Sequence, residues 1–287
     1  MKIALVGCTG YIAGFLLERM KDDEDIESVL RIGRGESADE HLNLQTADEF
    51  NYDMLCGIDY VVFTAAVSSP DLCAKEFEGC WATNVTGTGL FIHEALNRGC
   101  RVLFFSSDAV YGDVPGKIYD ENSETCAQTP YGLMKKAIED RFFGEQGFKA
   151  IRLSYVASAQ DRFVKYCMQC MDKEEDADIF HPFYRNVVTV DDVVSSVMWL
   201  IKNWNEFESP VLNAAGTELV SRVRIADEIN RCMNQRLKYT VSFPGETFYK
   251  NRPKVTQMRS LYLYDRHIIP RESFTLKFQR ELEEIKK

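Results

Sequence analysis

The feature that most constrains this chain is a glycine-rich turn directly after its first predicted strand. Lys2–Val6 is a short apolar run, and Gly7-Cys8-Thr9-Gly10 follows it, before an amphipathic stretch that begins at Tyr11. Glycine at positions 7 and 10 permits a tight turn and lets the backbone approach a pyrophosphate at a helix N-terminus. Because the turn lies between a strand and a helix, it predicts a dinucleotide site, with Gly7, Thr9 and Gly10 as contacts.

Nearly continuous apolar runs alternate with amphipathic segments along the first two hundred residues. Such runs are typical of parallel strands that are buried on both faces, and the segments between them are typical of covering helices. The pattern predicts strands at 2–6, 28–32, 60–65, 101–106 and 150–155, and helices at 11–20, 87–98, 131–146 and 191–202. The predicted fold class is therefore α/β, with a doubly wound parallel (Rossmann) sheet.

The regular alternation ends after residue 156. Beyond it come a helix pattern near 163–171, an acidic stretch at 172–178, and a C-terminal region of short strands mixed with Pro, Arg and aromatic residues. We therefore expect a smaller, C-terminal substrate lobe beside the sheet. The predicted division is 1–156 plus 187–205 for the dinucleotide-binding domain, and 157–186 plus 206–287 for the substrate-binding lobe.

Charge and composition exclude several classes of protein. The 287 residues carry 34 Lys+Arg against 44 Asp+Glu, a formal net charge of −10, which leaves no basic footprint for nucleic acid or an anionic membrane. No apolar run approaches the ~18 residues of a membrane-spanning helix. Since strand-like sequence begins at Lys2, no room is left for a signal peptide, and we expect a cytoplasmic location. Nine scattered cysteines indicate reduced thiols.

The end of the second predicted strand bears on the choice of cofactor. An acidic residue there would hydrogen-bond the adenosine ribose of NAD, but the sequence reads Ile32-Gly33-Arg34-Gly35. A guanidinium fits the 2′-phosphate of NADP through paired hydrogen bonds. We therefore predict NADP bound by Arg34, with Arg31 as a second candidate, and keep NAD as the alternative.

A serine, a tyrosine and a lysine form a candidate catalytic group. Ser107 follows the fourth predicted strand, and Tyr131 and Lys135 are four residues apart, on one face of the helix that follows. This order brings all three to the carboxyl edge of the sheet. A nearby ammonium, together with the positive nicotinamide ring, is expected to lower the pKa of Tyr131 toward the range of a general acid or base.

With these motifs the chain resembles the extended short-chain dehydrogenase/reductase superfamily, whose members mostly act on nucleotide sugars. The resemblance covers nearly the whole chain and rests on motifs in a fixed order. They are the glycine turn, Thr64-Ala65-Ala66, Asn84-Val85-Thr86-Gly87-Thr88, the strand-end serine, Tyr131-Gly-Leu-Met-Lys135, Arg152-Leu-Ser-Tyr-Val156, Val190-Asp191-Asp192-Val193 and Asn213-Ala-Ala-Gly216.

The resemblance implies a role for each matched residue. Tyr131 would be the catalytic acid/base, Ser107 would polarise the substrate oxygen, and Lys135 would also hold the nicotinamide ribose. The cofactor path would be lined by Tyr11, Ile12 and Ala65, and the backbone near Val156 would meet the carboxamide. The resemblance also implies a homodimer through helices 87–98 and 131–146, with a monomer as the alternative.

Departures from the family patterns narrow the reaction. Nucleotide-sugar dehydratases carry an Asp-Glu pair after the strand-end hydroxyl, whereas here Asp108 is followed by Ala109, which argues against dehydration. Ser107-Asp108 is similar to the dTDP-4-dehydrorhamnose reductase branch, although that branch usually has an aromatic residue at position 109. The presence of Asp108 also argues against an epimerase. Ser68, Asp108 and Arg185 are the predicted substrate contacts.

The resulting prediction is an NAD(P)-dependent oxidoreductase that reduces a keto group of a nucleotide-linked sugar. Tyr131 would donate the proton, and Ser107 would hold the substrate oxygen. Two alternatives stay open: a nucleotide-sugar epimerase with tightly bound NAD, and a non-catalytic, dinucleotide-binding regulatory subunit.

Overall fold

The computed structural model describes residues 1–283. Within that range the β-strands are β1 (Lys2–Val6), β2 (Ser28–Gly33), β3 (Glu40–His41), β4 (Tyr60–Phe63), β5 (Arg101–Ser107), β6 (Ile118–Tyr119), β7 (Phe148–Leu153), β8 (Val156–Ala157), β9 (Ala177–Phe180), β10 (Tyr184–Asn186), β11 (Val188–Thr189), β12 (Val211–Ala214), β13 (Leu219–Ser221), β14 (Tyr239–Ser242) and β15 (Val255–Met258).

The α-helices in the same range are α1 (Tyr11–Lys21), α2 (Pro70–Lys75), α3 (Phe77–Trp81), α4 (Thr88–Asn97), α5 (Pro130–Phe142), α6 (Arg162–Asp172), α7 (Val190–Lys202), α8 (Arg222–Cys232), α9 (Glu246–Tyr249) and α10 (Phe274–Glu283). A π-helical stretch, Ala82–Gly87, leads into α4, and short 3-10 helices lie at Leu44–Glu49, Tyr52–Leu55 and Asp108–Val110.

Seven parallel strands form the central sheet, in the order β12-β7-β5-β4-β1-β2-β3. The order reverses at β1, because the chain first builds outward to β3 and then returns to place β4 on the other side. Ligands of such sheets bind outside the carboxyl ends of the strands at this reversal. The predicted doubly wound α/β fold is confirmed.

Side-chain alternation in β1 explains the two layers of helices. Ile3 and Leu5 are fully buried in a cluster with apolar residues of α1 and α7, whereas Ala4 and Val6 are buried in a second cluster with residues of α4 and α5. Successive residues of a strand point to opposite faces, so a strand covered on both faces has to be apolar throughout. The central sheet is thus held between two hydrophobic cores.

The smaller lobe has its own sheet and core. Four strands pair in the order β13-β10-β15-β6, and α6, α8 and α10 pack around a separate hydrophobic cluster that includes Cys167 and Cys170. All nine cysteines lie within residues 1–283 and are free thiols. None of the helices in this range combines the length and the apolar character needed to cross a bilayer.

The boundary between the two units differs from the expected division at two strands. Val211–Ala214, expected in the lobe, pairs with β7 as the edge of the central sheet, and Ile118–Tyr119, expected in the first unit, pairs with β15 in the lobe. Both strands are short and are placed by pairing with residues far away in sequence, which local patterns do not report. The chain therefore crosses between the two units more often than predicted.

Candidate active site

The glycine turn is closed by backbone hydrogen bonds. The N–H of Gly7 donates to the carbonyl of Ile32 over 2.8 Å, and the N–H of Gly10 donates to the carbonyl of Gly7 over 2.9 Å, immediately before α1 begins. Gly7 has a φ of +87°, and a Cβ there would lie 2.8 Å from the backbone nitrogen of Ala65. Only glycine fits this position, because another residue would be strained and would collide with the end of β4.

A cavity of about 280 Å³ lies beside the turn. One side of it consists of backbone from the turn and from the end of β2, and the other side consists of the segments that follow β3 and β4. Its lining residues are Val6, Gly7, Thr9, Gly10, Gly33, Arg34, Leu42, Asn43, Leu44, Gln45, Thr64, Ala65, Ala66, Val67 and Thr83. The predicted contacts Gly7, Thr9, Gly10, Arg34 and Ala65 are thus brought together in one place.

The two arginines predicted for the 2′-phosphate differ in their surroundings. Arg31 forms an ion pair with Asp39, in which Nε donates to Oδ2 over 3.1 Å and Nη2 to Oδ1 over 2.5 Å. Arg34 is exposed, lines the cavity, and makes no hydrogen bond or ion pair with the residues that the structure describes. Arg34 is therefore the arginine that is open to an incoming phosphate, and Arg31 is engaged by Asp39.

A second cavity of about 280 Å³ continues from the first toward α5. The two cavities share Gly10, Thr64 and Ala66, so they form one groove along the carboxyl edge of the sheet. The second is also lined by Tyr11, Ile12, Ala13, Ser68, Phe105, Ser106, Tyr131, Lys135 and Leu153. Residues of the glycine turn and of the predicted catalytic helix therefore face the same space.

Lys135 is buried beneath this second cavity. Its Nζ donates to the carbonyl of Phe105 over 2.7 Å and lies 4.4 Å from the centre of the Phe104 ring. Only 3% of the residue is exposed, and burial lowers the pKa of the ammonium to about 7. The cation is held by the end of β5, so its place in the site is fixed by the sheet and not only by α5.

The protonation of Tyr131 differs from the expectation. Burial raises the pKa of the phenol above its ordinary value, and the nearby Cys73 and Asp108 raise it further. The Lys135 Nζ lies 5.8 Å from the ring centre and donates to the backbone instead, so the lysine alone does not lower this pKa. Desolvation exceeds any attraction between these two groups, and the phenol keeps its proton at neutral pH.

Ser107 is turned toward its neighbour in sequence. Its Oγ donates to Asp108 Oδ1 over 3.1 Å and accepts from the N–H of Ala109 over 3.2 Å. The residue that lines the second cavity is Ser106, whose buried Oγ has no hydrogen-bond partner among residues 1–283. Of the predicted triad, the structure therefore brings Tyr131 and Lys135 into one cavity, and Ser107 is not among the residues that line it.

The predicted substrate contacts Asp108 and Arg185 are paired with each other. Arg185 Nε lies 3.2 Å from Asp108 Oδ2, and the two side chains are only 9% and 13% exposed. Ser68, the third predicted contact, lines the second cavity. Val156 lies in β8, and its carbonyl accepts a hydrogen bond from the Tyr11 hydroxyl over 3.3 Å, which links the start of α1 to the far side of the groove.

Other residues of the groove have only weak signals in the sequence. Leu42, Asn43, Leu44 and Gln45 follow β3, which has two residues and no apolar pattern to announce it. Asn84 lies in the π-helical stretch. Its Oδ1 accepts from the N–H of Val67 over 2.8 Å, and its Nδ2 donates to the Val67 carbonyl over 2.9 Å, so it fixes the loop after β4.

The groove fits a dinucleotide cofactor on its own geometry. Gly7 and Gly10 line the first cavity at the N-terminus of α1, where free backbone N–H groups favour a diphosphate. An unpaired guanidinium, Arg34, stands in one cavity, and the unpartnered Ser106 hydroxyl lies in the wall of the other. The residues that would hold the two halves of such a cofactor are therefore present at the reversal of the strand order.

Solved structures of similar fold cover the whole chain at low identity. A dTDP-4-dehydrorhamnose reductase from Clostridium acetobutylicum is 18% identical, with a TM-score of 0.84 and 100% of both chains covered. The Bacillus anthracis dTDP-4-dehydrorhamnose reductase, in complex with NADP, is 17% identical, with a TM-score of 0.82 and 99% of both chains covered. The UDP-glucose 4-epimerase of Thermotoga maritima, solved with UDP-glucose, is 18% identical, with a TM-score of 0.79 and 100% of this chain and 99% of that chain covered.

A family model gives the more specific match. None of the curated proteins matches the chain in sequence. Residues 3–215, which include the glycine turn, the strand-end serine and the tyrosine–lysine pair, match the model of the NAD dependent epimerase/dehydratase family. The chain belongs to the NAD dependent epimerase/dehydratase family.

Proposed function

We propose that this protein is an NADPH-dependent reductase of a keto group on a nucleotide-linked sugar. The observation that carries the proposal is the second cavity, where the partly buried phenol of Tyr131 and the buried Lys135 lie with the first turn of the cofactor-binding helix. A phenol that keeps its proton is an acid, which is the form that a net reduction requires.

In the proposed reaction the hydride transfer, the proton transfer and the cofactor contact are divided among three side chains and the bound cofactor. A bound nicotinamide cofactor supplies the hydride for the carbonyl carbon. Tyr131 donates the proton to the carbonyl oxygen, and the Ser107 hydroxyl donates a hydrogen bond to that oxygen as it gains negative charge. Lys135 would hold the nicotinamide ribose, and in its protonated form it would stabilise the phenolate that remains when Tyr131 gives up its proton.

Arg34 supports NADPH as the preferred reductant. Its guanidinium lines the first cavity without an internal partner and is free to pair with a 2′-phosphate. A carboxylate at this point would favour the free ribose hydroxyl of NAD, but Gly33 and Gly35 flank the arginine. NAD remains the alternative cofactor, in keeping with the family model.

The smaller lobe is the proposed site of the nucleotide sugar. Arg185 of β10 brings the lobe to the end of the catalytic strand, since it reaches Asp108, the residue that follows β5. Ser68 lines the second cavity and is a proposed contact of the sugar. Two similar structures are named as reductases of a dTDP-linked keto sugar, and a third was solved with UDP-glucose.

The test is to incubate the purified protein with dTDP- and UDP-linked keto sugars and either NADPH or NADH. We expect consumption of one NADPH for each reduced sugar, measured by loss of absorbance against product by chromatography. Interconversion of two nucleotide sugars without net loss of cofactor would show an epimerase. Cofactor binding without any turnover would show a regulatory subunit and overturn the proposal.

A further inference from the structure

A buried ion pair connects the catalytic strand to the smaller lobe. Asp108, at the end of β5, accepts a hydrogen bond from the Ser107 hydroxyl through Oδ1, over 3.1 Å. Its other oxygen, Oδ2, lies 3.2 Å from Nε of Arg185, a residue of β10. Hydroxyl, carboxylate and guanidinium therefore form one chain of contacts that runs from the proposed active site into the lobe.

Arg185 is already engaged within the protein. Nη1 donates to the Tyr184 carbonyl over 2.7 Å, Nη2 donates to the Pro253 carbonyl over 2.9 Å, and Nε faces Asp108. Its guanidinium carbon also lies 4.4 Å from the centre of the Phe183 ring. Two of the three guanidinium nitrogens donate hydrogen bonds to backbone carbonyls, and the third forms an ion pair with Asp108, so the protein itself fixes the orientation of Arg185.

The charge of Asp108 would oppose the proposed reaction if it were unbalanced. A carboxylate beside Ser107 repels the negative charge that grows on the substrate oxygen, and its influence already reaches Tyr131, where it raises the pKa of the phenol. In a buried site such repulsion is weakly screened. Arg185 supplies the compensating charge, while Oδ1 holds the Ser107 hydroxyl until a substrate oxygen takes its hydrogen.

We propose that Asp108 and Arg185 are a pair of positioning residues: Asp108 orients the Ser107 hydroxyl, and Arg185 neutralises and holds Asp108, so that neither residue contacts the nucleotide diphosphate. The inference rests on the proposed reduction at Tyr131 and Ser107. It reassigns two residues that sequence patterns place among the substrate contacts. Because the partners act on each other, the loss of one is expected to be corrected by the matching loss of the other.

The test is reciprocal rescue. Arg185→Gln leaves a buried, unbalanced carboxylate, and we expect kcat to fall roughly 100-fold with KM for the nucleotide sugar changed by less than about threefold. Adding Asp108→Asn removes the unbalanced charge, and we expect kcat to return to within about tenfold of the wild type. Circular dichroism and thermal unfolding identify variants that do not fold, and Arg185→Met, which also removes the charge, replaces Arg185→Gln if that variant fails.

Arg222 provides the matched control. It lies on the same lobe, with its guanidinium carbon 4.6 Å from the Phe183 ring, but it forms no ion pair among residues 1–283. Arg222→Gln is therefore expected to keep kcat close to the wild type, which makes the loss in Arg185→Gln and its rescue by Asp108→Asn specific to Arg185. Affinity for UDP and dTDP, measured by calorimetry, is expected to be the same in Arg185→Gln and in the wild type.

Three results separate the alternatives. A tenfold or greater loss of UDP or dTDP affinity in Arg185→Gln would make Arg185 a diphosphate contact and overturn the inference. If the wild type is active but the double variant is not rescued, the pairing of Asp108 with Arg185 is overturned and the proposed function is kept. A wild type without turnover on any keto sugar would overturn the proposed function, and the inference with it.

Discussion

The two sides of the groove hold their cations in opposite ways. On the side of the central sheet, Arg34 stands without a partner beside backbone that only glycine permits, whereas in the lobe Arg185 is fixed by Asp108 and by two carbonyls. An unpaired cation on a rigid turn is suited to bind an incoming anion, and a paired one is suited to hold other protein groups. The comparison teaches that arginines with similar sequence signals need their partners located before a role is assigned.

The largest effect is expected from Tyr131→Phe, which tests whether the shared cavity is where protons are transferred. Removing the phenol hydroxyl should lower turnover by about 10² to 10⁴, the usual worth of a positioned proton donor. Cofactor affinity, measured by fluorescence titration, should stay nearly unchanged, because the ring remains in the cavity wall. Full activity in this variant would show that the proton comes from another group.

Lys135→Met tests the buried cation that is proposed both to assist Tyr131 and to hold the cofactor ribose. We expect loss of turnover together with about 10- to 100-fold weaker cofactor binding, since a charge-assisted hydrogen bond contributes about 1.5–3 kcal/mol. A loss of turnover with unchanged cofactor affinity would contradict the proposed ribose contact.

The same variant carries a pH signature. The pKa of Lys135 falls from its ordinary value of 10.5 to about 7 in the folded protein, so between these values the unfolded chain binds more protons than the folded one. The contribution of Lys135 to the free energy of unfolding therefore rises with pH in this window. Urea unfolding at pH 7 and pH 9 should show that rise in the wild type and a flatter dependence in Lys135→Met, and equal slopes would contradict it.

Arg34→Ala sharpens the contrast with the other arginines. We expect about tenfold weaker binding of NADPH, and little change for NADH, because only NADPH carries the 2′-phosphate. Arg31→Ala is the matched control, since its guanidinium is occupied by Asp39, and it should leave the ratio of the two affinities nearly unchanged. If Arg34→Ala keeps the same preference for NADPH over NADH, Arg34 does not contact the cofactor and is a solvent-facing residue.

The smallest effect is expected at the rim of the groove. Arg252, in the lobe, forms an ion pair with Asp71 of α2, and the Asp71 side chain is 59% exposed. Exposed pairs contribute about 0–1 kcal/mol, so Arg252→Ala should change the free energy of unfolding by less than about 1 kcal/mol. A larger loss in urea unfolding would mean that this contact helps to hold the two units together.

The central sheet could be predicted well because its signals are local. Strand β1 and the start of α1 were predicted at the observed residues, since apolar runs and glycines act within a few positions of themselves. Strand β4 ends at Phe63, two residues before the prediction, because the chain turns at Thr64 toward the glycine turn, and the Thr64 hydroxyl donates to the Val6 carbonyl over 2.8 Å. Helix α5 ends at Phe142, four residues before its predicted end.

The rest of the site depends on contacts that no local pattern contains. Strand β12 takes its place by pairing with β7, about 60 residues earlier in sequence, and Arg185 reaches Asp108 across a comparable distance. The protonation of Tyr131 depends on how deeply the fold buries it, which the spacing of a tyrosine and a lysine does not state. Residue types therefore predicted the candidate catalytic helix, and packing determined its electrostatics.

The central claim is that the groove transfers hydrogen from a nicotinamide cofactor to a sugar carbonyl. It is tested most directly by turnover with NADPH that carries deuterium at both hydrogen positions of the reactive ring carbon, followed by mass spectrometry of the nucleotide sugar. The reaction is run in ordinary water, and we expect one deuterium in each product molecule. The same reaction with unlabelled NADPH should give a product without deuterium. A product without deuterium, formed while NADPH is not consumed, would contradict the account.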